Sequence, residues 1–155
     1  MPPGSRLRYR DRVRAVLDTD VMVAAFRSAR GASRRCLEAA LTGRLRPVMS
    51  TPLVLEYEAV LTRPEQLAAS GITAEAVGEA LDGLLAVAIP VSLYFSWRPS
   101  LRDADDEMVL ATAVNGRADV LATFNLGDLE ASAARFGVRA VRPSELIRLL
   151  EKGDA

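Results

Sequence analysis

Short apolar runs alternate with segments of helical periodicity along most of the chain, and this alternation restricts the fold more than any other feature. The runs predicted as strands are Val13–Leu17, Leu45–Met49, Val87–Val91, Asp119–Ala122 and Val138–Val141. Apolar strands that are joined through helices form mainly parallel sheets whose two faces are both covered. We therefore predict an α/β protein with three α/β/α layers and a mainly parallel central sheet of about five strands.

Helices are predicted between and after these runs. They span Val21–Arg27, Arg34–Leu41, Leu53–Arg63, Ala74–Leu85, Ala104–Asn115, Leu129–Phe136 and Glu145–Glu151. Ser33, Thr73 and Asp103 are predicted N-caps, and Thr51-Pro52 has the pattern of an N-cap followed by proline at the first helical position. Pro64–Gly71 is predicted to be a connection, and Tyr94–Leu101 a loop.

The length and composition indicate one domain. The chain has 155 residues, half of them hydrophobic, which is enough for a substantial core. Residues 1–12 are rich in Pro, Gly and Arg and are predicted to be a flexible tail, so the domain is expected to cover residues 13–151. The formal net charge is zero, so nucleic-acid binding would depend on local arginine patches and not on a uniform basic field.

The residue types that are missing exclude several chemistries. The chain has no His, which excludes Ser-His-Asp and Cys-His catalysis and His-ligated zinc. The single Cys36 cannot form an internal disulfide and is predicted to be a buried thiol. We find no signal peptide and no apolar run long enough to cross a membrane, so we expect a cytoplasmic protein with no membrane partner.

Acidic residues lie near the ends of successive predicted strands. Asp18 ends the first strand, Glu56 lies on the helix after the second, Asp103–Asp106 open the helix after the third, and Asp128 follows the fourth. The carboxyl ends of parallel strands meet at one edge of a sheet, so these acids are expected to converge. Clustered carboxylates repel one another unless a cation joins them, and Mg²⁺ and Mn²⁺ prefer such oxygen ligands.

Each acid taken alone also has a simpler interpretation. Asp103 and Asp128 could be helix N-caps, and Asp105 and Glu107 could be solvated acids in a first helical turn, where negative charge is favourable. For Asp18 the simpler, structural interpretation is the weakest, because an acid directly after an apolar strand has little structural use.

Four segments in order resemble the PIN-domain ribonucleases. The segments are Val16–Ala25, Thr51–Arg63, Arg102–Ala113 and Ala118–Leu129. The order is specific although no single segment is. The chain is most similar to the VapC-like branch, the toxin components of bacterial toxin–antitoxin pairs.

The resemblance implies a metal-dependent endoribonuclease. It puts the catalytic acids at Asp18, Glu56, Asp106 and Asp128, and it implies that Asp18, Asp106 and Asp128 hold Mg²⁺ or Mn²⁺. Asp103 matches an additional acid of this branch, and Thr123 and Asn125 match polar positions beside the site. Asp20 departs from the pattern, since the family usually has Asn there; the extra carboxylate could bind metal or could weaken the site by repulsion.

The expected partners follow from the same resemblance. They are an RNA substrate, a second copy of the chain in a homodimer, and a cognate antitoxin protein. Arg27, Arg30 and Arg102 are candidates for holding phosphates that flank the cleaved bond.

Two other functions remain open from the sequence. Asp18-Thr19-Asp20-Val21 also fits the start of a haloacid-dehalogenase-like phosphatase, but that chemistry usually needs a lysine beside the phosphoryl group, and the only lysine is Lys152. A PIN-like module that binds a partner without catalysis is the second alternative. Metal-dependent RNA cleavage would separate a nuclease from both.

Overall fold

A computed structural model describes residues 12–93 and 104–154. Its sheet has five strands, all parallel, in the order β3-β2-β1-β4-β5. The strands are β1 (Arg14–Leu17), β2 (Arg46–Ser50), β3 (Ile89–Val91), β4 (Val120–Ala122) and β5 (Arg139–Val141). The parallel sheet and its number of strands confirm the prediction from the sequence.

Eight helices are found within the described residues. They are α1 (Thr19–Arg27), α2 (Ala32–Leu41), α3 (Thr51–Leu61), α4 (Pro64–Ser70), α5 (Ala74–Val87), α6 (Ala104–Asn115), α7 (Leu126–Ala134) and α8 (Pro143–Asp154). None of these helices is long and apolar enough to span a membrane.

The strand order fixes where a ligand site can form. The chain moves outward from β1 through β2 to β3 on one side, and from β4 to β5 on the other. Right-handed crossovers then put α6 and α7 on the face opposite α1, α2, α3 and α5; α1 contacts α2 and α3, and α6 contacts α7. The order reverses between β1 and β4, where open α/β sheets bind ligands beyond the carboxyl ends of the strands. We call this end of the sheet the carboxyl edge.

The central strand is apolar because both of its faces are covered. Ala15 and Val16 are fully buried and Leu17 nearly so. Tyr57 on α3 is also buried, and its hydroxyl donates a hydrogen bond to the backbone carbonyl of Leu17. This bond ties α3 to the last residue of β1, immediately before Asp18.

The segment from Pro64 to Ser70, which was predicted only as a connection, is a helix. Arg63 is an N-cap in extended conformation, with proline directly after it, and neither residue offers a capping side-chain hydrogen bond. Gly71 ends the helix in the left-handed conformation (φ 72°). The sequence lacked a polar N-cap signal, although proline at the first helical position fits a helix start.

Two predicted caps, and the alternative interpretation of Asp128 as a cap, were also wrong. Ser50, not Thr51, caps α3, and its hydroxyl accepts a hydrogen bond from the Leu53 amide. Helix α2 begins at Ala32, so Ser33 lies inside its first turn. Helix α7 begins at Leu126, so Asp128 lies in its first turn and is not an N-cap. The predicted Thr73 cap of α5 is confirmed.

Three predictions concern residues outside the described ranges. These are the tail up to residue 11, the loop at Tyr94–Leu101 and the capping role of Asp103. The division into a tail and a domain over residues 13–151 remains a prediction.

Gly116 allows the end of α6 to lie against the sheet. A Cβ atom at this position would lie 2.3 Å from Val48 Cγ1 on β2 and 2.7 Å from Val91 Cγ2 on β3. Both distances are shorter than any ordinary carbon–carbon contact, and both partners are β-branched side chains with few alternative rotamers. Only glycine fits here without movement of the helix or the strands.

Gly116→Ala is expected to destabilise the fold by about 1–3 kcal/mol, because overpacking forces backbone shifts. Gly78→Ala on α5 is the matched control, since a Cβ atom there would meet nothing within 4 Å beyond its own stretch of helix. Alanine there should stabilise the helix by roughly 0.5–1 kcal/mol. Urea unfolding of both variants measures the difference, and equal free energies of unfolding would contradict the close-packing argument.

Candidate functional site

Asp18 and Thr123 lie side by side because of the register of β1 and β4. Leu17 pairs with Ala122, so the next residue on each strand extends past the carboxyl edge together with its neighbour. The Asp18 amide continues the ladder with a 2.9 Å bond to the Ala122 carbonyl. The Thr123 hydroxyl donates to Asp18 Oδ2 at 2.7 Å, and both side chains are buried. The pairing of two strands therefore fixes this carboxylate in one orientation.

Asp18 also begins α1. Asp18 is the N-cap of this helix, and its Oδ1 accepts a 2.7 Å hydrogen bond from the amide of Thr19, the first helical residue, which has no partner within the helix. The position at a helix N-terminus favours the negative charge. Asp18 thus has a structural role, and it also lies at the point of the sheet topology where ligands bind.

Asn125 connects Thr123 to the next acid. The Asn125 amide donates to the Thr123 hydroxyl oxygen at 2.9 Å, and its side-chain Nδ2 donates to Asp106 Oδ2 at 3.0 Å. Asp106 lies in the first turn of α6 and is 9% exposed. A continuous series of hydrogen bonds therefore runs from Asp18 through Thr123 and Asn125 to Asp106, and it joins three separate segments of the chain.

Glu56 joins this group from α3. The Thr19 hydroxyl donates to Glu56 Oε2 at 2.5 Å. Burial raises the pKa of Glu56 above its usual value, the Thr19 hydrogen bond opposes the rise, and Asp105 and Asp18 add to it. Asp105 acts both as a hydrogen-bond partner and as a negative charge. Glu56 therefore lies among other acids and holds a proton more readily than an isolated glutamate.

Asp20 faces the same group from the first turn of α1. Its Oδ2 accepts a 3.2 Å hydrogen bond from the Phe124 amide. Burial raises the pKa of Asp20, hydrogen bonds from the amides of Phe124 and Val21 lower it, and the charge of Asp106 raises it. The other oxygen, Oδ1, is buried and has no hydrogen-bond partner among the described residues.

The structure does not connect every predicted residue to this group. Asp128 is exposed on α7 and forms no hydrogen bond or ion pair with any described residue. Arg27 donates from Nε to Gln66 Oε1, so its guanidinium is engaged between α1 and α4. Arg30 is exposed between α1 and α2. Asp103 and Arg102 lie outside the described residues, and the roles of all five stay predictions.

The arrangement fits a hard cation that keeps part of its water shell. Across residues 12–93 and 104–154, no three Asp, Glu or Cys side chains converge closely enough to form a complete ligand set. Mg²⁺ in proteins is commonly held by only one or two carboxylates with several waters. The orphaned oxygen of Asp20 and the mutual repulsion of the acids are both features that a bound cation would compensate.

Several contacts of the group were not foreseen from the sequence. The Thr19 hydroxyl donates to Glu56, and the Phe124 amide donates to Asp20. The Tyr57 hydroxyl donates to the Leu17 carbonyl. Burial raises the pKa of Tyr57 well above its usual value, and Asp18 and Glu56 raise it further. Thr19 lies between two candidate acids in the sequence, which is the one signal that would have pointed to it.

Comparison with known proteins identifies one family. The model of the PIN domain matches residues 14–127. No curated protein and no solved structure matches the chain significantly.

Asp20→Asn is expected to raise the melting temperature of the metal-free protein at neutral pH. The pKa of Asp20 is raised in the folded chain, so ionisation of this carboxyl destabilises the fold. This destabilisation is absent below the pKa that Asp20 has in the unfolded chain, about 4, and is complete above its raised pKa in the folded chain. The gain in melting temperature should therefore appear as pH rises through this interval, and differential scanning calorimetry with a chelator present measures it.

Asp82→Asn, at an exposed position on α5, is the control for removing one negative charge. It should change the melting temperature little at any pH. An equal gain in both variants would mean that net charge, and not the buried position of Asp20, is responsible.

Proposed function

Because this chain belongs to the PIN-domain family, whose members are typically metal-dependent nucleases, we propose that it is an endoribonuclease that hydrolyses RNA phosphodiesters with Mg²⁺ or Mn²⁺. The observation that carries the proposal is the series of hydrogen bonds from Asp18 through Thr123 and Asn125 to Asp106. It holds two carboxylates from distant parts of the sequence at the one place where this sheet topology favours a ligand.

Each neighbour of the site has a defined task in this proposal. Thr123 and Asn125 orient Asp18 and Asp106, and a carboxylate that accepts a hydrogen bond still has lone pairs with which to bind a cation. Asp20 presents the oxygen that has no hydrogen-bond partner in the described chain. Glu56, whose pKa is raised, is suited to accept a proton from water and to return it to the leaving oxygen.

A bound divalent cation would supply a lowered pKa for an attacking water and stabilisation of charge on the phosphate. The neutral donors of Thr19, Thr123 and Asn125 matter because they orient the acids without cancelling their charge. An arginine at these positions would neutralise a carboxylate and compete with the cation.

The toxin role is the narrower part of the proposal. It is supported by the similarity of the four motif segments to the VapC-like branch, and it implies a cognate antitoxin and a homodimer in the cytoplasm. Growth arrest on induced expression, relieved by co-expression of the neighbouring small reading frame, would support it. Unimpaired growth with an active nuclease would limit the function to RNA processing.

The phosphatase alternative is not favoured. Helix α8 starts after β5 at the carboxyl edge and carries Lys152 in its last turn, so this lysine lies toward the opposite edge of the sheet. A binding module without catalysis remains the alternative to test, and RNA cleavage decides between it and the nuclease.

Asp18→Asn and Asp106→Asn should each lower Mn²⁺-dependent cleavage of single-stranded RNA by about 100-fold or more, since each removes a carboxylate that would hold the cation. Chelation should abolish cleavage by the unmodified protein. Asp82→Asn is the control and should retain full activity. Asp128→Asn tests the fourth predicted acid, and activity equal to that of the control would remove Asp128 from the site.

Thr123→Val should reduce cleavage by roughly 10–100-fold, because the isosteric side chain can no longer orient Asp18 or accept from the Asn125 amide. Thr123→Ser keeps the hydroxyl and should restore most of the activity. Titration with Mn²⁺ measures the accompanying loss of metal affinity. Equal activity of the Val and Ser variants would show that the hydroxyl does not position the site.

A further inference from the structure

A groove at the carboxyl edge is linked to the candidate site by Phe124, which lines the groove and binds Asp20 through its backbone amide. Its cavity of about 300 Å³ lies between α1, the start of α2, the residues after β4 and the start of α8. We call it the Phe124 groove; its lining includes Ser28, Gly31, Phe124, Arg142 and Pro143. Pockets of this volume are at the lower limit of those that bind small ligands, so the cavity has room for one planar group.

Phe124 provides an aromatic surface beside the acids. Its side chain is 47% exposed and lines the groove, while its backbone amide holds Asp20. An exposed aromatic ring presents a flat apolar face on which a nucleic-acid base can stack. Because the same residue contacts the acidic group through its backbone, whatever stacks on the ring lies next to the carboxylates.

Arg142 provides a cation in the same groove. It directly follows β5, and the register of β4 and β5 puts it beside Thr123. Its guanidinium is exposed and forms no hydrogen bond or ion pair with any residue in the described ranges. By contrast, Arg139 on the same strand is paired with Glu145. A positive charge that has no partner within the described part of the chain is available to a phosphate.

We propose that the Phe124 groove is a nucleotide subsite of the nuclease. The base of an unpaired nucleotide adjacent to the cleaved bond stacks on the Phe124 ring, and Arg142 holds the phosphate of that nucleotide. The inference rests on the proposed function for the position of the cleaved bond. Its support is independent: an exposed ring and a guanidinium with no partner among the described residues line one cavity, and the backbone amide of Phe124 binds Asp20.

The proposal assigns the groove to single-stranded RNA and not to a protein segment. A base and its phosphate require one aromatic face and one cation, which is what the groove offers. Stacking tolerates any base, so the subsite fixes the position of the strand more than its sequence.

Fluorescence anisotropy with a short labelled single-stranded RNA of mixed sequence tests the subsite. A chelator is present, so that binding is measured without cleavage. Phe124→Ala should weaken binding about tenfold, in the range of one base–aromatic stack. Phe124→Trp should restore it. Phe136→Ala is the control: its ring is similarly exposed (45%), but it follows α7 at the opposite edge of the sheet.

An abasic ribose-phosphate oligomer of the same length separates stacking from other effects. The unmodified protein should prefer the RNA that carries bases, and Phe124→Ala should lose that preference. Arg142→Gln should lower the slope of log affinity against log salt by about 0.7, the value for one phosphate contact on a single strand. Arg135→Gln, at the far end of α7, should leave the slope unchanged.

Each result decides one of the two proposals. Binding that is the same in Phe124→Ala and in the unmodified protein, or no binding of RNA by the unmodified protein, would overturn the subsite. A Phe124-dependent complex without any metal-dependent cleavage would overturn the nuclease and leave the subsite intact. Cleavage by the unmodified protein with unchanged binding in Phe124→Ala would overturn the subsite and support the nuclease.

Discussion

The parallel pairing of β1 with β4 brings Asp18 against Thr123, and the other contacts of the site extend from that pair. Leu17 and Ala122 are register partners, so the two following residues leave the sheet together. Asn125 then reaches Asp106 on α6, and the backbone of Phe124 reaches Asp20 on α1. A shift of one residue in this pairing would turn the two side chains to opposite faces of the sheet, which is why the short apolar strands matter to function as well as to the core.

Bringing these acids together costs electrostatic free energy. Neutral hydrogen-bond donors offset part of that cost. Burial raises the pKa of Asp20 and Glu56 and neighbouring acids raise it further, while the groups that lower it are backbone amides and the Thr19 hydroxyl. Such donors stabilise a carboxylate without adding a positive charge. The group therefore keeps a net negative field, which suits a cation. Arg142 lies in the adjoining groove, so a positive guanidinium and the negative carboxylates occupy neighbouring parts of the carboxyl edge.

The fold was largely predictable, and the site was predictable in part. Apolar runs and helical periodicity indicated the parallel sheet, because burial on both faces leaves a strong pattern. Helix α4 was missed since its N-cap has no side-chain signal, and the predicted start of α7 was too late because Asn125 caps it without a side-chain hydrogen bond. The proximity of Asp18 and Thr123 follows from topology alone. The contacts of Thr19 and Tyr57 and the exposure of Phe124 depend on side-chain packing, which no local pattern records.

The span of chain between the partners also has a consequence for biosynthesis. Asp18 and Thr123 are 105 positions apart in sequence, so their hydrogen bond closes a loop that includes most of the protein. Closing so long a loop costs conformational entropy before the contact is made, and a chain emerging from the ribosome carries Asp18 long before Thr123 exists. Until β4 is made, the edge of β1 that pairs with β4 in the folded sheet has no partner. The acidic centre therefore cannot assemble on the growing polypeptide until β4 has been made.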